Sequence, residues 1–104
     1  MNKPGIAKHN RTLPNIRQVR RSCNRELYRT LKRLPGHIPA DRVAEAETIY
    51  FRKVALNLPW IVENGSNRKL LADWWEREVC DGIAELWQVE PAVLAKAFRD
   101  AFGG

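Results

Sequence analysis

Between Ile16 and Leu34 the chain places an arginine at every fourth position, Arg17, Arg21, Arg25, Arg29 and Arg33, with apolar residues at helical spacing among them. A spacing of four keeps successive side chains on one slowly drifting helix face. With Ile16 set at 0° and about 100° per residue, the arginines fall from about 100° to about 260°. Ile16, Val19, Cys23, Leu27, Leu31 and Leu34 fall between about −60° and +60°. One face belongs to a core, and the opposite face is nearly pure guanidinium. Glu26 is the one acid in this stretch. Like charges therefore repel along the helix, where i,i+4 pairing would otherwise support it. Such a helix is easier to hold with an acidic partner against it.

The charge is unevenly distributed. Residues 1–33 carry ten basic residues against Glu26, a net of +9, while the rest of the chain is mildly acidic and the whole is +6. A basic first third on an acidic body points to a polyanionic or acidic partner for that third. A length of 104 residues makes one small domain with a modest core. Cys23 and Cys80 match no metal-ligand spacing, and Cys23 falls on the apolar stripe, so buried free thiols in a reducing compartment are expected. No signal-peptide core and no apolar run of membrane-spanning length is present, so a soluble protein is expected. The Arg-rich, acid-free start has the charge bias of a mitochondrial targeting segment.

Helical spacing recurs along the chain, and no segment alternates over strand length. Residues 1–12 read as an extended basic arm, and residues 13–104 as one helical domain. Pro14 suits the first turn of a helix that Pro35-Gly36 ends. Asp41, Glu45 and Glu47 load the start of a second helix, which Leu58-Pro59 breaks. Trp60-Ile61-Val62 reads as a link. Ser66 is the expected N-cap of a third helix reaching Leu86, with Gly82 as its weak point, and Pro91 opens a short last one. The expected fold is all-α: a three-helix antiparallel bundle with a short C-terminal helix and a basic N-terminal arm. Of the neighbours Trp74 and Trp75, one is expected to point outward as a contact for another protein.

Leu27-Tyr28-Arg29 in a basic first helix, the Leu34-Pro35 stop, and Phe51-Arg52-Lys53 in the second helix resemble the LYR-motif family. The tail Leu94 to Asp100 is loosely similar to tails of the family's succinate dehydrogenase assembly factors. The resemblance covers roughly residues 14–57 and implies a small three-helix protein of the mitochondrial matrix or the matrix side of the inner membrane. It implies a non-catalytic adaptor that binds acylated mitochondrial acyl carrier protein and supports a larger complex: respiratory, ATP synthase, iron–sulfur or mitoribosomal. The acidic helix of the carrier would meet Arg17, Arg21, Arg25, Tyr28, Arg29, Lys32 and Arg33, with Arg52 and Lys53 adding to the rim. The acyl chain on 4′-phosphopantetheine would enter a tunnel lined by Leu27, Leu31, Phe51 and Val54. The protein would hold no cofactor of its own.

Chemistry inside the chain has little support. His9 and His37 lack spaced partners, and no phosphate loop, nucleophile elbow or zinc signature is present. No enzyme activity and no metal are expected. Nucleic acid is the alternative partner, because the same arginines could follow a phosphate backbone. Residues 83–94 also resemble a helix-turn-helix, with Ala84 at the packing position and Gln88 where the turn usually has Gly. Its second helix offers Lys96 and Arg99 beside Asp100, a poor surface for DNA. A third possibility is a purely structural subunit of a larger assembly.

Overall fold

The computed structural model describes residues 13–104, and the basic arm expected over 1–12 lies outside the described residues. Six helices and no strands make up the described chain: α1 (Ile16–Leu31), α2 (Ala40–Leu56), α3 (Leu58–Glu63), α4 (Arg68–Glu78), α5 (Cys80–Trp87) and α6 (Pro91–Phe102). Asn15 starts α1 with a reciprocal cap. Its side chain accepts from the Gln18 N–H at 2.8 Å, and the Gln18 side chain accepts from the Asn15 N–H at 3.0 Å. This satisfies donors that a helix start otherwise leaves open.

Residues 58–87, expected as a link and one helix, form three helices. Pro59 opens α3, because a helix start needs no N–H from its first residues. Asn67, rather than Ser66, caps α4 by accepting from the Leu70 N–H at 3.0 Å. The break between α4 and α5 falls at Val79 (φ −117°), not at Gly82. Val79 and Cys80 are both buried there, so burial of this pair accompanies the bend.

α1 packs against α2 and α6, while α5 covers another side of those two helices and α4 closes on α5 and α6. The stripe of α1 delivers Val19, Cys23 and Leu27 to the core, Leu34 follows after the helix, and Leu31 packs at the edge. Ile16 stays exposed, because α1 begins there beyond the end of the core. Trp75 and Phe98 stack with centroids 3.9 Å apart and planes 2° from parallel. Tyr50 meets both rings edge-on at 6.2 Å. Aromatic pairs add about 0.5–1.5 kcal/mol each beyond the area they bury. Trp74 is buried with Trp75, so neither neighbour points outward. The Trp87 indole N–H donates to the Arg42 carbonyl at 3.0 Å, and Arg42 Nη1 donates to the Leu86 carbonyl at 3.1 Å. These two bonds clamp the start of α2 to the end of α5.

Candidate functional site

The arginine series forms one exposed surface. Arg17, Arg21, Arg25 and Arg29 lie on the outer face of α1, with Lys32 at its C-cap and Arg33 in the turn beyond. At 1.5 Å per residue, the four helical arginines span about 18 Å. Among the described residues none of them, nor Arg33, has an Asp or Glu oxygen within 4.0 Å, and residues 1–12 contain no acid. Tyr28 is exposed on the flank of this face, with Lys32 Nζ 4.6 Å from its ring centre. Arg33 Nη1 donates to the Arg29 carbonyl at 3.0 Å, which ties the last member of the series to the helix end.

Glu26 does not neutralise this face. Its side chain is half-buried, and Oε1 is sealed from solvent without a hydrogen-bond partner. Burial pushes its carboxyl above the usual carboxylate range, against the pull of Arg29, Arg68 and Arg25. The one acid of α1 is therefore turned toward the interior.

The second-helix residues separate. Arg52 is exposed on α2, whereas Lys53 is drawn toward α4, with Nζ 3.9 Å from Glu78. Phe51 is half-buried beneath the guanidinium of Arg20, 4.3 Å from the ring centre. Leu27 is fully buried in closed core, and Leu31 packs at its margin.

Of the four expected tunnel residues, Val54 lines the main apolar cavity, and Leu27, Leu31 and Phe51 do not. That cavity, of about 350 Å³, lies against α1 from Gln18 to Glu26. Val19, Cys23, Ile61, Leu71 and Trp74 form much of its apolar wall, and Arg25, Glu26 and Arg68 its charged part. α3 supplies Leu58, Ile61 and Val62, at the i, i+3, i+4 spacing of one helix face. That spacing was the available signal for α3 as a wall rather than a link. Cys23 is inert as a nucleophile in this wall, since burial pushes its thiol up to about 12.

The other candidate surface is α5–turn–α6. Gln88 takes a left-handed conformation (φ 55°, ψ 47°), and Ala84 and Leu94 are buried where the two helices meet. The two helices are joined by the three residues Gln88, Val89 and Glu90. The exposed side chains of this surface include Asp81, Glu85, Glu90 and a Lys96–Asp100 pair at 2.9 Å. Arg99 is tied to Asp73 at 2.6 Å and to Glu76 at 2.9 Å. A phosphate backbone meets net negative charge here. His37 lies exposed in the α1–α2 connector, and His9 is outside the described residues. Comparison with protein-family models, curated proteins and solved structures returns no match.

Proposed function

We infer that this chain is a non-catalytic adaptor whose first helix docks an acidic partner, and that the partner is an acylated carrier protein of the mitochondrial type. The observation that carries this reading is the position of Arg25, which belongs both to the unpaired arginine face and to the wall of the apolar cavity. Arginine recognises carboxylate and phosphate in a planar, two-point geometry. An acidic helix laid along α1 meets Arg17 to Arg33, and the phosphate of a phosphopantetheine arm meets Arg25 and Arg68. The acyl chain then continues into the cavity past Val54, and not beside Leu27, Leu31 and Phe51.

Each exposed charge pair contributes about 0.2–1 kcal/mol, so the face supplies steering and register more than strength. Each methylene that leaves water adds about 0.8 kcal/mol, and the chain supplies much of the affinity. The antiparallel α1–α2 pair is the part of a LYR-type three-helix bundle on which the reading draws. Residence in the mitochondrial matrix and support of a respiratory, ATP synthase, iron–sulfur or mitoribosomal assembly belong to the same proposal.

The test is purification of the tagged chain after nuclease treatment, followed by intact mass of what remains bound. The expected result is an acidic protein bearing acylated phosphopantetheine. Val54→Phe, which fills the cavity, is expected to remove the preference for acylated over unacylated carrier while helicity stays unchanged. Loss of all bound material on nuclease treatment would transfer the arginine face to nucleic acid. The short turn between α5 and α6 is the feature that supports that second reading, and the exposed acids beside it oppose it.

A further inference from the structure

One end of the molecule combines exposed apolar side chains with unpaired positive charge. α1 and α2 run antiparallel, since Arg20 covers Phe51, and Val19 and Val54 share the cavity wall. The start of α1 therefore lies beside the end of α2. Leu13 (47% exposed), Ile16 (62%), Leu56 (79%) and Trp60 (37%) all belong to this end. α3, which carries Trp60, has no fully buried residue, while its Leu58, Ile61 and Val62 line the cavity. Arg17, Arg20 and Arg52 are exposed on the adjoining turns of α1 and α2. Glu63, at the far end of α3, is the exposed acid of that helix.

We propose that this end docks on an anionic lipid bilayer surface, with Leu56 and Trp60 entering the interfacial region and the surrounding arginines meeting lipid phosphates. Two observations select a bilayer over a second copy of the chain. Four apolar side chains make too small a patch for a stable protein interface, which needs on the order of 1,000 Å² or more. A bilayer needs only a few inserted side chains when basic residues surround them, each basic residue adding attraction to anionic headgroups. Tryptophan also prefers the headgroup level, where its ring is apolar on one side and wet on the other. No helix of the described chain is long and apolar enough to cross a membrane, so the contact is peripheral. The docking end lies at the start of α1, about two and a half turns or more from Arg25 and Arg29; it shares Arg17 and α3 with the carrier reading, and its test reads lipid binding alone.

The full chain is sedimented with vesicles of phosphatidylcholine alone and of phosphatidylcholine with about one-third phosphatidylglycerol, while Trp emission is recorded. Trp74, Trp75 and Trp87 are buried, so a lipid-induced blue shift reports Trp60. Expected are binding to the anionic vesicles alone, weakening with salt, and a blue shift that Trp60→Ser abolishes. Leu56→Ser with Trp60→Ser lowers the vesicle partition about tenfold or more, with far-UV circular dichroism unchanged. Quenching of the unsubstituted protein by brominated lipid reports insertion without any variant. No binding to anionic vesicles, no quenching, or wild-type partition in the double variant overturns the proposal. A concentration-dependent dimer that Leu56→Ser and Trp60→Ser abolish also overturns it, since a second copy would then cover this end.

Discussion

Glu26 shows how one side chain sets the sign of a surface. Turned inward, it forms no ion pair within 4.0 Å with the arginines of α1 and carries a desolvation cost itself. Because its folded-state carboxyl lies above the ordinary range, the native state holds that proton more tightly than the unfolded chain. The corresponding stability is full below the ordinary carboxylate value of about 4.3 and falls as pH rises through the folded-state value. Glu26→Gln is therefore expected to raise the melting temperature at pH 7, with the difference closing as pH falls below about 4. Thermal melts across that range check it. Equal stability at pH 7, or a difference that opens on acidification, would show that Glu26 is held by partners rather than by burial. The identity of this residue as the lone acid was legible from the sequence. Its inward turn was not, because at about 280° it lies between the polar and apolar arcs, and packing alone decides which it joins.

Among the elements, the turn between α5 and α6 holds Gln88 at φ 55°, a conformation that costs a residue with a Cβ about 1–2 kcal/mol. Gln88→Gly is expected to stabilise the fold by roughly 0.5–1 kcal/mol in chemical denaturation, part of the relief being offset by the freer unfolded chain. Destabilisation would mean that the Gln88 side chain is held by contacts worth more than its backbone strain. The resemblance to a helix-turn-helix located this turn, and Pro35-Gly36 and Pro91 marked two other boundaries. Local residues carry such signals. The bend at Val79 carries none, since a buried valine has no turn chemistry. It follows from how α4 and α5 must both reach α6. Pro59 was misleading for a related reason: the same residue ends one helix and opens the next, and only the backbone tells which. The arginine face was legible because periodicity is written in the chain. The cavity was not, since a gap is a property of how several helices fail to meet.

At the scale of the molecule, charge is arranged by side. α1 turns its arginines outward from α2 and α6, while α5 exposes Asp81 and Glu85 from another side of the same two helices. An approaching acidic protein is drawn to one surface and turned away from the other, which favours a single docking orientation. The direct test is titration of purified, acyl-loaded carrier protein into the wild-type chain and into Arg25→Glu with Arg29→Glu. Wild-type affinity is expected to fall with added salt, as exposed pairs are screened over about 10 Å at 0.1 M. The double reversal is expected to bind at least about tenfold more weakly, at unchanged helicity. Equal affinity in the two proteins would contradict docking on the arginine face of α1.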